Sequence, residues 1–102
     1  MKRYKLKFAP EAKDDLNRLY DFVADIDLQR AERAIEVIES ALDTMRNHPH
    51  TYRKANGGDM GALWRELVIS FGGTGYVVLF ELTDTDRVTV MAVRHQRESD
   101  YH

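Results

Sequence analysis

The chain has 102 residues, with fifteen lysines and arginines against seventeen aspartates and glutamates, and it contains no cysteine. This length predicts a single domain over residues 1–102, and the lack of cysteine excludes disulfides and thiolate chemistry. The formal net charge of −2 is unlike the strongly basic balance of small domains that bind nucleic acid through phosphate contacts. No apolar run approaches the roughly 20 residues of a membrane span. No signal-peptide core follows the basic first residues, so we expect a cytoplasmic protein without membrane contact.

The first half of the chain predicts a short strand and two amphipathic helices. Residues 4–8 alternate apolar and basic side chains, which is typical of a strand with one solvent-exposed face. Apolar residues recur at helical spacing over residues 10–25 and again over residues 31–45, before His48-Pro49 ends the pattern. Asp27, between the two patterns, is a predicted N-cap of the second helix. The predicted core stripe of the first helix consists of Ala12, Leu16, Leu19, Val23 and Ile26.

The second half predicts a three-stranded antiparallel meander. Residues 64–71, 76–82 and 87–95 are rich in β-branched and aromatic side chains, and turn-forming residues separate them. Residues 50–63 form a polar predicted loop. The predicted fold class is therefore α+β, with a helical hairpin packed on a four-stranded, mainly antiparallel sheet in the order β-α-α-β-β-β.

This element order and several local motifs resemble the RelE/ParE superfamily of toxins from bacterial type II toxin–antitoxin pairs. The matching motifs span nearly the whole chain and keep the order expected of the family. They are Ala9-Pro10-Glu11-Ala12 followed by Asp15-Leu16, then His48-Pro49, Leu63-Trp64-Arg65-Glu66-Leu67, Gly75-Tyr76-Val77-Val78-Leu79-Phe80, and Val93-Arg94-His95-Gln96-Arg97-Glu98.

The resemblance implies a toxin that is neutralised by a cognate antitoxin, expected to be ParD-like with a ribbon-helix-helix start, and that meets DNA only through that antitoxin. ParE-like members inhibit DNA gyrase, whereas RelE-like members cut mRNA on the ribosome without a metal. RelE-like nucleases place an arginine directly after the Gly-Tyr of the third strand, where this chain has Val77. The ParE-like function is therefore the leading hypothesis. One alternative is a RelE-like endonuclease with His95, Arg97 and Tyr101 as its catalytic residues. The other is a non-toxic corepressor that only binds antitoxin.

The end of the last predicted strand concentrates cations beside an aromatic residue, which is a common composition for an interface anchor. The predicted target-binding residues are Arg65, Arg94, His95, Arg97 and Tyr101. Two of them have structural alternatives. His95 shares a predicted strand face with Met91 and Val93, where a histidine is more often a half-buried packing residue. Arg65 shares a predicted face with apolar residues, where its guanidinium needs a partner.

Apolar side chains beside the two core stripes predict where the antitoxin binds. Tyr20, Phe22 and Val37 fall at these margins, which suit an amphipathic helix lying in a groove. The N-terminal cations Lys2, Arg3, Lys5 and Lys7 are consistent with a soluble edge strand and with a docking surface for an acidic antitoxin tail. The four histidines show no metal-ligand spacing, and we expect neither a metal nor a cofactor.

Overall fold

The structure, a computed structural model, describes residues 3–55 and 64–96 of the chain. Two helices lie on one side of a four-stranded sheet, which confirms the predicted α+β class and the order β-α-α-β-β-β. The elements are β1 (Lys5–Phe8), α1 (Pro10–Ala24), α2 (Leu28–Met45), a 3-10 turn (Pro49–Thr51), β2 (Trp64–Phe71), β3 (Thr74–Asp84) and β4 (Arg87–His95). The strand order is β1-β4-β3-β2, with β1 parallel to β4 and the other neighbours antiparallel.

The helical hairpin follows from its local signals. Pro10 occupies the first turn of α1, where its missing N–H costs nothing. Asp27 caps α2 as predicted, because its side chain accepts a hydrogen bond from the Arg30 backbone N–H at 3.2 Å. The prediction that Ile26 belongs to the core stripe is wrong: α1 ends at Ala24, and the Ile26 side chain is 77% exposed.

The central strand β3 supplies the floor of the core. Tyr76, Val78, Phe80 and Leu82 alternate toward the helices and are all buried. This strand begins two residues before its predicted start because the hairpin turn is tight, with Phe71 pairing directly with Thr74. The turn requires glycine at position 72, where φ is +64°.

A β-bulge in β4 changes which residues face the helices. Leu79 pairs with Ala92 and Phe80 pairs with Val90, so Met91 is an extra residue without an opposite partner. The side-chain alternation is reset there, and Val93 and His95 face the helices while Arg94 faces away. The prediction that Val93 and His95 share a face is confirmed, but Met91 is the extra residue of the bulge and falls outside the regular alternation that grouped it with them.

A buried carboxylate joins the helices to this bulged strand. Asp15 of α1 is 3% exposed, and its Oδ2 accepts a hydrogen bond from the Val93 backbone N–H at 2.9 Å. The contact links residues that are far apart in sequence and holds the end of β4 against α1. Neither helix of the described chain combines the length and apolarity that a membrane crossing requires.

Candidate binding groove

An open groove with a volume of about 920 Å³ lies on the helix side of the sheet. Leu19, Phe22 and Val23 of α1 form one wall, and Phe71 and Tyr76 of the sheet form the floor. The turn between β2 and β3 and the end of β4 close the groove at one end. Most of the lining is therefore apolar, as in sites that receive an apolar partner.

The rim of this groove carries large apolar side chains that face solvent. Phe22 is 71% exposed and Ile26 is 77% exposed, and both line the groove. They cluster because α1 ends at Ala24 and the chain turns outward before Asp27 caps α2. Contiguous exposed apolar surface of this kind marks an interaction site more often than an inert surface.

Two arginines supply the positive charge of the groove, and no aspartate or glutamate lines it within the described residues. Arg18 Nη2 lies 3.6 Å from Oδ1 of the buried Asp15. The guanidinium carbon of Arg30 lies 4.8 Å from the centre of the Phe71 ring, in a cation–π contact. The groove therefore combines apolar walls with local positive charge in a chain whose net charge is negative.

His95 closes one end of the groove. Its Nε2 lies 3.2 Å from Thr74 Oγ1, and its ring meets the Tyr76 ring edge-on at 5.7 Å between centres. Burial raises the pKa of the Tyr76 hydroxyl above its usual value, and the positive charge of Arg30 partly offsets this. Tyr76 is therefore neutral near pH 7, and its hydroxyl keeps the proton of a hydrogen-bond donor.

The opposite face of the sheet is organised differently. Val77, Leu79 and Ala92 are buried there, although they lie outside the core between the helices and the sheet. Polar side chains around them pair with one another. Glu66 Oε1 lies 3.2 Å from Arg53 Nε, and Trp64 Nε1 donates to Glu81 Oε2 at 2.7 Å.

The predicted target-binding residues occupy different places in the fold. Arg65 lies on the helix side, where its Nη1 donates to the Tyr52 carbonyl at 3.1 Å, which provides the partner that a half-buried guanidinium needs. Arg94 lies on the opposite face, paired in register with Val77, whereas His95 lies in the groove. Arg97 and Tyr101 fall outside the described residues.

The predicted antitoxin-binding residues are also dispersed. Phe22 lies in the groove, Tyr20 lies beside a small cleft between the two helices, and Val37 packs against the core. Lys5 and Lys7 are exposed on the edge strand, as predicted, and Arg3 forms an ion pair with Asp43. Lys2 falls outside the described residues.

Arg30 and Phe71 were missed by sequence reasoning as site residues. Arg30 is an exposed residue in the first turn of a helix, and no local pattern connects it to an aromatic ring in a distant strand. Glu66 had a detectable signal, since an acidic residue in an apolar strand needs a cation nearby. The described residues contain no group of three or more histidines, aspartates and glutamates that could hold a metal ion.

The comparisons with known proteins identify the class of protein. The family model for the ParE toxin of type II toxin–antitoxin systems, parDE, matches residues 6–100. The chain belongs to this family and is the toxin component of a type II toxin–antitoxin system. The predicted membership of the RelE/ParE superfamily is therefore confirmed.

Individual relatives carry names from both branches of the superfamily. Toxin RelE3 of Caulobacter vibrioides is 29% identical over 93 residues, which cover 91% of this chain and 95% of that protein. Toxin RelE1 of the same organism is 34% identical over 71 residues, covering 70% of this chain and 71% of that protein. A solved structure described as the chromosomal ParDE toxin–antitoxin system from P. aeruginosa has the same fold, with a TM-score of 0.72, 14% identity, and coverage of 91% and 96% of the two chains.

Proposed function

We propose that this toxin acts by binding DNA gyrase, as a ParE-like inhibitor, and that a cognate ParD-like antitoxin neutralises it by occupying the groove on the helix side of the sheet. The observation that carries the proposal is the groove itself, with its solvent-exposed Phe22 and Ile26 at the rim. The match to the ParE toxin family supports the gyrase part.

The groove suits an amphipathic helix of the antitoxin. Such helices place apolar residues three and four apart along one face, and they bind in grooves whose walls are apolar. Leu19, Phe22 and Val23 offer a wall of this kind along α1, and Phe71 and Tyr76 offer the floor. Covering Phe22 and Ile26 would also remove from water the two most exposed large apolar side chains of the described residues.

The opposite face of the sheet supports binding over RNA cleavage. A metal-free ribonuclease needs a base, an acid and cations around the scissile phosphate. Val77, which stands where the nuclease arginine is expected, is 5% exposed and pairs in register with Arg94 and Val68. Glu66, the acidic residue nearest along the sheet, is already paired with Arg53.

We place the contact with gyrase at the end of β4 and the residues that follow it. This is the region of Arg94, His95, Arg97 and Tyr101, and it includes one residue of the groove. A chain that ends at Gln96 removes Arg97 and Tyr101 while keeping every paired residue of β4, because Arg94 and His95 pair with β3. We expect this truncated toxin to fold and to lose growth inhibition, with a smaller loss of antitoxin binding.

The target is tested by supercoiling assays with purified gyrase and toxin, combined with induction of the toxin alone in cells. The proposal predicts inhibited supercoiling and DNA damage before translation stops. Primer extension on ribosome-bound message provides the opposite test. New codon-aligned mRNA ends that disappear in His95→Ala would contradict the proposal and establish the endonuclease.

A further inference from the structure

Of the two arginines that line the groove, Arg30 is the one whose side chain forms no ion pair with the described residues. We infer that Arg30 binds a carboxylate on the antitoxin segment that fills the groove, so that one acidic residue on an otherwise apolar helix face determines which antitoxin this toxin accepts. The inference rests on the proposed occupation of the groove by the antitoxin and adds the chemical group that Arg30 recognises.

The guanidinium of Arg30 is held in place before any partner arrives. It lies over the Phe71 ring, with 4.8 Å between the guanidinium carbon and the ring centre. Gly72 leaves room for it, since a Cβ at that position would lie 2.9 Å from Arg30 Nη2. A cation–π contact uses none of the guanidinium N–H donors as hydrogen bonds, so these donors can bind a bidentate carboxylate.

The acidic residue that caps the helix of Arg30 contacts its backbone and not its guanidinium, since the Asp27 carboxylate accepts a hydrogen bond from the Arg30 backbone N–H at 3.2 Å. Within the described residues the Arg30 side chain forms no ion pair, whereas Arg18, the other groove arginine, lies 3.6 Å from Asp15. No described aspartate or glutamate lines the groove. The charge of Arg30 also acts on Tyr76, where it opposes the rise in the tyrosine pKa that burial causes.

The rest of the groove favours a peptide carboxylate over a nucleic-acid phosphate. Phe22 and Ile26, which are 71% and 77% exposed, provide apolar surface that a helix face can cover. A nucleic-acid strand instead needs a row of cations along its backbone. The groove offers only Arg30 and the already paired Arg18 among its described lysines and arginines. One acidic residue beside several apolar ones on a helix matches this pattern.

The test compares three variants, Arg30→Glu, Arg30→Gln and the control Arg33→Glu. Arg33 is exposed on the same helix, lies one turn further along, and does not line the groove. The ligand is the purified product of the open reading frame next to the toxin gene, and affinity is measured by calorimetry at physiological salt. We expect binding to weaken about 10- to 100-fold in Arg30→Glu, about 3- to 10-fold in Arg30→Gln and less than about 2-fold in Arg33→Glu.

A charge exchange identifies the carboxylate. Each aspartate and glutamate of that partner is changed to lysine and tested against Arg30→Glu and the unchanged toxin. The inference predicts one exchange that restores binding to Arg30→Glu and weakens binding to the unchanged toxin, because only a directly contacting pair shows such coupling. Thermal melting of every toxin variant establishes that it is folded, and Arg30→Gln carries the test if Arg30→Glu does not fold.

The possible failures are distinguishable. If the neighbouring protein does not bind the unchanged toxin, the proposed occupation of the groove fails and the inference fails with it. If it binds with the same affinity to Arg30→Glu, only the inference is overturned. If the toxin binds a single-stranded RNA oligonucleotide and Arg30→Glu does not, Arg30 binds phosphate. If the toxin sediments as a dimer and Arg30→Glu sediments as a monomer, a second copy of the chain occupies the groove. Either result would overturn the inference.

Discussion

The two faces of the sheet present opposite kinds of surface. On the helix side, the groove exposes Phe22 and Ile26 and leaves the charge of Arg30 against an aromatic ring. On the opposite face, the polar side chains pair with one another, as in the ion pair of Glu66 with Arg53. The difference favours the helix side as the face that binds the proposed antitoxin, because Glu66 and Glu81 on the opposite face already contact Arg53 and Trp64.

The end of β4 joins the two faces. Arg94 points to the opposite face and His95 points into the groove, because neighbouring residues of a strand alternate in direction. A partner in the groove that reaches His95 therefore contacts a residue of the region proposed to bind gyrase. This proximity gives the proposed antitoxin a direct route to block the toxin without a change in its fold.

The largest expected change in the free energy of unfolding comes from comparing two buried carboxylates, Asp15 on the helix side and Glu66 on the opposite face. Asp15→Ala removes the acceptor of the buried Val93 N–H and one ion pair of Arg18, and we expect the free energy of unfolding to fall by about 2–3 kcal/mol. Glu66→Ala removes an ion pair with the largely exposed Arg53, and we expect a loss of about 1 kcal/mol. Urea unfolding measures both changes.

Asp15→Asn is the matched control for this comparison. Its amide oxygen can still accept the hydrogen bond from Val93, so part of the lost stability should return. A loss in Asp15→Ala no larger than the loss in Glu66→Ala would contradict the view that Asp15 holds the end of β4 against α1.

A smaller difference in stability is expected between alanine substitutions at the two glycines of the β2–β3 turn. Gly72→Ala places a side chain at φ +64°, which we expect to cost about 1 kcal/mol, and its Cβ would crowd Arg30 Nη2. Gly73→Ala meets no atom within 4 Å, so we expect a change of less than about 0.5 kcal/mol. Thermal unfolding of both variants checks the difference, and equal losses would show that Gly72 is not the strained position.

Sequence periodicity predicted most of the fold because it reports local preferences. Alternation in β3 and the Asp27 cap of α2 were both confirmed. The errors at Ile26 and Met91 have local physical causes that periodicity does not contain: a helix that ends early and a bulge that resets alternation. The groove could not be predicted in detail, because the contact between Arg30 and Phe71 depends on how α2 packs against the sheet.

The smallest expected effect is the pH dependence caused by Tyr76. Burial raises its pKa in the folded protein above the value of 10.0 that an exposed tyrosine has. As the pH rises above about 10, the unfolded chain loses this proton first, so unfolding becomes more favourable until the folded-state pKa is passed. Tyr76→Phe should therefore lose less stability between pH 9 and 11 than the unchanged protein, as urea unfolding at each pH would measure. Identical pH dependence of the two proteins would show that Tyr76 is not the group responsible.

The most direct test of the account compares one exposed apolar residue on each face. Phe22 lies in the groove and is 71% exposed, and Val68 lies on the opposite face and is 44% exposed. Circular dichroism first establishes that Phe22→Asp and Val68→Asp are folded, and calorimetry then measures the affinity of each for the product of the neighbouring open reading frame. The account predicts a loss of about 100-fold for Phe22→Asp and less than about 3-fold for Val68→Asp. The reverse order, or equal affinities, would contradict the assignment of the groove as the antitoxin site.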